Sequence, residues 1–445
     1  MAERLVVIGG GAAGMSAASA ARRVDADLAI TVLESGPFSS YGVCGIPYYL
    51  GGVIADPETL VAYPAEEFRQ KRRIDLRLST VVTGIGLDSR VVTTDTDEHP
   101  YDALVLAAGA RPIVPRVPGV DHPRVVTIRR LEDAIALRAE LTGIRRAVVV
   151  GAGYVGLETA EALHAHGIAV TVVDRLPRVM STLDDDVARL VEEEVRRHAE
   201  LLLGRTLTAV EPVGDALRVH LGDESVETDL VVLALGVSPA TELLAGSGAA
   251  TVRPGALLVD DRMRTSLPGV YAAGDCVALR HIVTGEPAYV PLGPAANKTG
   301  RVAGTVAAGG DASFGGIAGT AVVKVFDLTV AHTGLTLADA TDAGLAARAT
   351  DVNAKSRAKY YPGAAPLRVR LVHTDDGRLL GAQLVGRDGA AQRVDVVAAA
   401  LHGGMSVDDL AALDLAYAPP YSPVYDPLTQ AAQAAQWALA PVGAR

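Results

Sequence analysis

Two cysteines in 445 residues are too few for a disulfide framework or for a cysteine-rich zinc or iron–sulfur site. The ten histidines show no metal-ligand spacing, so no metal is expected. Positive charge is also short. Lys and Arg total 41 against 52 Asp and Glu, a net charge of −11, so the chain offers no basic excess to a phosphate backbone and nucleic acid is not an expected partner. Lysine supplies only five of the 41, a compositional bias to which no function is attached. No apolar run reaches the roughly 18 residues that a bilayer span requires, and no membrane association is expected. No signal peptide is legible, because Arg4-Leu-Val-Val-Ile-Gly9 already reads as a strand entering a glycine turn. A cytoplasmic protein of a reducing compartment is the expectation. Hydrophobic residues, at 49%, are sufficient for a large core. At about 150 residues per domain the length suggests roughly three domains.

Two segments repeat one design. Leu5-Val-Val-Ile-Gly9-Gly-Gly11-Ala-Ala-Gly14 and Ala147-Val-Val-Val-Gly151-Ala-Gly153-Tyr-Val-Gly156 each place an apolar β-branched run before G-x-G-x-x-G and an alanine-rich helical stretch. Each is followed by a second strand ending in an acid, Glu34 and Asp174, which lie 20 and 18 residues past the last glycine. This is the dinucleotide-binding fingerprint, present twice. The first glycine allows a tight turn, the second lets the backbone approach a pyrophosphate, and the third lets helix pack on strand. The helix N-terminus faces the phosphates, and the acid accepts hydrogen bonds from the ribose. Two such sites in one chain suggest a flavin and a nicotinamide, one passing hydride to the other.

After each fingerprint comes a strand ending in a small-residue turn: Asp102-Ala-Leu-Val-Leu-Ala-Ala-Gly109 and Asp229-Leu-Val-Val-Leu-Ala-Leu-Gly236. Prolines 112, 115 and 118 and the Gly/Ala-rich stretch 245–250 mark crossings between domains. The expected fold is α/β. Two Rossmann-like units, a discontinuous 1–115 plus 247–320 and an inserted 116–246, precede a C-terminal α+β unit over 321–445. In the last unit the pattern predicts strands at 321–326, 367–372 and 379–385 and a helix at 390–401.

These motifs resemble the flavin-dependent pyridine nucleotide–disulfide oxidoreductases over essentially the whole chain. Within them the chain is similar to the single-cysteine branch, which contains coenzyme A disulfide reductases, NADH oxidases and NADH peroxidases. The carrying segments are Ser39-Ser-Tyr-Gly-Val-Cys44-Gly-Ile-Pro-Tyr-Tyr-Leu-Gly51, Pro291-Leu-Gly-Pro-Ala-Ala-Asn-Lys-Thr-Gly300, Lys359-Tyr-Tyr-Pro-Gly363 and Ala416-Tyr-Ala-Pro-Pro-Tyr421. Two-cysteine members carry a second Cys five positions after the first; position 49 here is Tyr.

The resemblance implies FAD held by Gly9, Gly11, Ala12, Ala13, Gly14, Glu34, Ser35, Val82, Ala108, Gly109, Gly274, Asp275, Pro291, Leu292 and Ala295. It implies NADH held by Gly151, Gly153, Tyr154, Val155, Gly156, Glu158, Asp174, Arg175 and Gly236. Tyr154 would act as a lid over the nicotinamide pocket, and Glu158 would face the flavin edge. Coenzyme A would meet Ser16, Arg23, Ser40, Lys71 or Arg72, Asn297 and Tyr425. Val43 stands where some relatives carry Asn. In a homodimer, Tyr361 (or Tyr360) and Tyr417 would reach the partner's cysteine and protonate a leaving thiolate.

Cys44 precedes a predicted helix, 46–50, and a thiol at a helix N-terminus beside an oxidised flavin is expected to have a lowered pKa. With no second cysteine beside it, its oxidised form is a mixed disulfide or a sulfenic acid. Cys276 reads as a packed small residue. Asp174 favours NADH by repelling a 2′-phosphate, while Arg175 and Arg178 leave room for some NADPH use. The leading expectation is reduction of a small-molecule coenzyme A disulfide through a Cys44–S–CoA intermediate. Rivals are an NADH oxidase with a sulfenic Cys44, a persulfide or polysulfide reductase, and a slow flavoprotein redox sensor. No His follows the first glycine turn, which weighs against a peroxidase. The chain ends at Arg445, so no C-terminal persulfide-handling domain with its own cysteine is expected.

Overall fold

The computed structural model describes residues 2–439. Met1 and residues 440–445, which the expected domain ranges include, lie outside the described residues. Three sheets organise the chain, and the first two are copies of one plan. In the first sheet the strands run in the order Val270–Ala272, Ala103–Leu106, Arg4–Ile8, Ala29–Leu33, Asp75–Arg77, all parallel. In the second the order is Val125–Thr127, Leu230–Leu233, Arg146–Val150, Ala169–Asp174, Glu200–Leu203, again all parallel. The central strands are covered on both faces, so they read as continuous Val/Ile/Leu runs rather than as alternating patterns. Each unit also carries a three-stranded antiparallel sheet, at 82–100 and at 209–228.

The inserted unit is entered and left through one ribbon. Ala110–Pro112 pairs antiparallel with Val237–Pro239. We propose the same division as the sequence suggests, with the return crossing at 237–239 rather than 246, because Leu244 packs in the core of the first unit. In that unit the helix Gly293–Ala307 lies across Ala12–Val24. The approach is closer than any side chain allows. A Cβ at Gly300 would stand 2.2 Å from the Ala13 carbonyl oxygen, and one at Gly304 would stand 1.9 Å from that of Ala17.

The third sheet is antiparallel in the order Ala321–Val325, Leu328–Gly334, Leu379–Gly386, Pro366–Thr374, Ala347–Lys355. Helices Ala390–His402 and Pro427–Leu439 cover it. Two of its strands, 328–334 and 347–355, were not expected from the pattern. The sheet is clamped to the second unit by buried charge. Arg370 reaches Asp184 at 3.1 Å, Asp186 at 2.6 Å and Asp351 at 2.7 Å. Gln383 Nε2 donates to Asp184 at 2.6 Å. Among the described residues no helix is long and apolar enough to cross a membrane.

Candidate active site

The two glycine loops are superposable in their hydrogen bonding. Gly9 N–H donates to Leu33 O at 2.8 Å and Gly151 N–H to Val173 O at 2.7 Å. A Cβ at Gly14 or Gly156 would fall 1.8 Å from the carbonyl oxygen of Gly9 or Gly151, which is why the third glycine of each motif is obligatory. Glu34 accepts the N–H groups of Gly10 and Gly36, at 2.6 and 2.8 Å. Asp174 does the same for Ala152 and Leu176, at 2.7 and 2.8 Å. Both helix N-termini lack a side-chain cap, and nothing stands within 4 Å of a Cβ built at Gly11 or Gly153. Open space before uncapped N–H groups, with a carboxylate fixed at the edge, fits the pyrophosphate and ribose of one dinucleotide per unit.

Cys44 sits in the turn Val43–Gly45 ahead of the helix Ile46–Leu50, as the segment predicts, and it is exposed. A Cβ at Gly293 would lie 3.9 Å from its Sγ, so the thiol faces the start of the helix Gly293–Ala307. Among the protein's own groups, burial pushes the thiol up most, Glu158 and Asp275 add to the rise, and Arg129 opposes it. Cys276 is fully buried against the carbonyls of Leu106 and Ala273, and burial holds its thiol up at about 12. It is a packing residue, as expected.

Two residues at this site, Arg129 and Tyr289, carried no sequence signal, whereas Tyr48 lies in the segment around Cys44. Arg129 donates to Asp275 at 2.7 Å and to the Ala110 carbonyl at 3.3 Å, bringing positive charge beside Gly109. Tyr48 stands near Glu158, and Glu158 and Cys44 both act on its phenol, which burial raises most. Burial, reinforced by Glu161, pushes the Glu158 carboxyl up to about 7. Tyr289 places a buried hydroxyl with no protein partner near Asp275 and Cys276. The helix bearing Tyr48 packs on Tyr154–Ala165, where a Cβ at Gly51 would come 3.2 Å from Ala162 Cα. That contact brings Glu158 of the second unit to Cys44 of the first.

The remaining expected residues divide. Ser16 donates to Asn297 at 2.9 Å, and Arg72 donates to Ser19 at 2.8 Å while stacking over Tyr63 and Phe68. Ser16, Ser19 and Arg23 share one helix, so these groups form a polar strip. Lys71 is exposed beside Glu67, and Ser40 holds a left-handed backbone with φ of 52°. Arg22 is consumed by backbone carbonyls of 25, 26, 72 and 73. Val82 packs on the first core, and Ser35 donates to Glu34. Leu292 and Ala295 line a 240 Å³ cavity. Arg178 pairs with Asp185, leaving Arg175 as the exposed cation beside Asp174. Within the chain the hydroxyls of Tyr360 and Tyr417 approach to 3.4 Å, and Tyr361 stands next to Tyr360 in sequence. None of the contacts described joins them or Tyr425 to Cys44 within the chain. The Tyr154 hydroxyl meets Thr182 and His332.

Two dinucleotide units bracketing one exposed cysteine define a pyridine-nucleotide-dependent flavoprotein oxidoreductase. Residues 3–300 match the family model of pyridine nucleotide-disulphide oxidoreductases and residues 320–428 match the dimerisation domain of that family. The chain belongs to this family, and FAD and NAD(P)H are the cofactors that membership implies. It is 39% identical to the NAD(P)H coenzyme A polysulfide/persulfide reductase of Pyrococcus horikoshii, over 96% of this chain and 97% of the relative. It is 30% identical to the coenzyme A disulfide reductase of Staphylococcus haemolyticus, over 94% and 96%. The structure of an NAD-dependent persulfide reductase from A. fulgidus superposes with a TM-score of 0.94 at 40% identity, over 97% of this chain and 83% of that one.

Proposed function

We propose that this enzyme uses NADH to reduce sulfur–sulfur bonds attached to coenzyme A, with coenzyme A disulfide as substrate. The observation that carries the reading is the position of Cys44, an exposed thiol without a cysteine neighbour, facing the start of the helix that also bears Asn297. The polar strip of Ser16, Arg23, Arg72 and Asn297 would hold the nucleotide end of coenzyme A. Gly9–Gly14, Glu34 and Asp275 would hold FAD, which when bound relays two electrons from nicotinamide to sulfur. Cys44 thiolate attacks the disulfide, expels one coenzyme A thiolate and forms the mixed disulfide Cys44–S–CoA. Two electrons and a proton then restore Cys44 and release the second thiol. Overall, one disulfide, one NADH and one proton give two thiols and NAD⁺.

In the homodimer we propose, Tyr417 and Tyr360 from the partner protonate the departing thiolate. The names of the archaeal relatives favour a second reading, in which a coenzyme A persulfide is split into coenzyme A and hydrogen sulfide at the same cysteine. The test is NADH consumption by the flavin-loaded enzyme, under argon with coenzyme A disulfide or coenzyme A persulfide, and in air with neither. Turnover under argon with two thiols per NADH supports the disulfide reading, and sulfide release supports the second. Turnover in air alone would overturn both in favour of an oxidase.

A further inference from the structure

The first residue of each fingerprint helix stands at the mouth of its nucleotide loop. In the first unit it is Ala12 and in the second Tyr154, so the loop itself does not require a large side chain there. The Tyr154 hydroxyl lies 3.1 Å from Thr182 Oγ1 and is also bonded to His332 Nε2, and the two rings stack with centroids 6.2 Å apart at 29°. Thr182 belongs to the second unit. His332 lies on the strand Leu328–Gly334 of the third. Its cross-strand neighbour is Gln383, the residue that grips Asp184. The imidazole is therefore mounted on the same strand pair that locks the third sheet to the nicotinamide unit.

We propose that His332 and Thr182 are positioning residues that fix where the Tyr154 ring stands at the mouth of the nicotinamide loop, so that the third unit sets how readily the pyridine nucleotide enters. Burial keeps the imidazole well below its ordinary value, at about 4, so it is neutral, and its Nε2 shares a hydrogen bond with the phenol. Burial also raises the phenol to about 12, so its proton is retained. Thr182 Oγ1 shares a second hydrogen bond with the same oxygen. Released from both bonds, the ring at the head of the helix is free to cover the pocket and compete with nicotinamide. The inference rests on nicotinamide docking at Gly151–Gly156, not on the identity of the sulfur substrate.

The test uses full-length, FAD-loaded enzyme under argon, with NADH alone, and follows flavin absorbance in a stopped-flow instrument. Loss of a hydrogen bond of ordinary strength predicts that His332→Ala raises the NADH dissociation constant about fivefold and leaves the limiting reduction rate within about twofold. Tyr154→Phe, which keeps the ring and removes both bonds, should show the same split, and His332→Gln should recover most of the affinity. In a Tyr154→Ala background the His332→Ala effect should vanish. An equal loss with and without the Tyr154 ring would overturn the proposal, as would unchanged affinity in Tyr154→Phe. If His332→Ala does not fold, Tyr154→Phe and Thr182→Val decide the matter. Absence of flavin reduction in the unaltered enzyme would instead count against nicotinamide docking itself.

Discussion

The two nucleotide units share a plan down to the floor of the sheet. Asp102 Oδ2 accepts the N–H groups of Glu3 and Arg4, and Asp229 Oδ2 accepts those of Arg145 and Arg146. They part at the helix that follows the glycine loop. In the first unit this helix is crossed by Gly293–Ala307 at backbone distance, and its face is Ala13 and Ala17. In the second the corresponding helix meets other units instead. Glu161 binds Lys324 and the Phe326 N–H of the third sheet, and Ala162 takes the helix behind Cys44. Backbone constraints thus fix the loop, which is why it is repeated. What covers the helix fixes the side chains, which is why Ala12 and Ser16 in one copy become Tyr154 and Glu158 in the other. The first unit is built to seal a ligand in, and the second to connect one to its surroundings.

The sharpest way to break this symmetry is at the third glycines. Gly14→Ala and Gly156→Ala introduce the same 1.8 Å clash. We expect Gly14→Ala to yield colourless, flavin-free protein, and Gly156→Ala to remain yellow while its NADH affinity falls at least about tenfold. Absorbance at the flavin band and anaerobic NADH titration read both. Cys44→Ser should follow in size: disulfide turnover falls to background while anaerobic flavin reduction by NADH persists. Retained disulfide turnover would reject Cys44 as the site of exchange. Asp174→Ala should raise the NADPH-to-NADH ratio of kcat/KM by about tenfold, through removal of a carboxylate beside Arg175. An unchanged ratio would show that Asp174 does not read the ribose.

The smallest effect is expected at Glu158. Its carboxyl ionises near 4.5 when unfolded but only at about 7 in the folded chain. The folded state therefore binds the extra proton between these values. Stability from this group is present below pH 4.5 and is lost as pH rises through 7. Glu158→Gln should raise the apparent Tm at pH 8 by about 2 °C, with the gain shrinking toward pH 5. A gain of equal size at both pH values would mean that the effect is not ionisation.

The parts of this molecule that were legible in the sequence are those where one backbone constraint demands one residue. The glycines of both loops, the acids after the second strands and the lone Cys44 all belong to this kind. Arg129 and His332 gave no signal, because each acquires its partner only when distant segments dock. The strand 347–355 was missed because Asp351, Asn353 and Lys355 have low strand propensity, and it forms as an edge paired on one side only. The carboxylates that face the Cys44 thiol give no local signal either, because Glu158 and Asp275 come from residues far along the chain.

The ribbon of Ala110–Pro112 and Val237–Pro239 has one more consequence. Because the chain leaves and re-enters the first unit through paired strands, everything between them is topologically a single long loop whose ends already touch. Closing that loop costs the host fold almost nothing that depends on what the loop contains. The second unit is thus a cassette. A different insert, joined at the same two strands, would be accepted without redrawing the sheet of the first unit, as long as it presents its own surface to the helix behind Cys44.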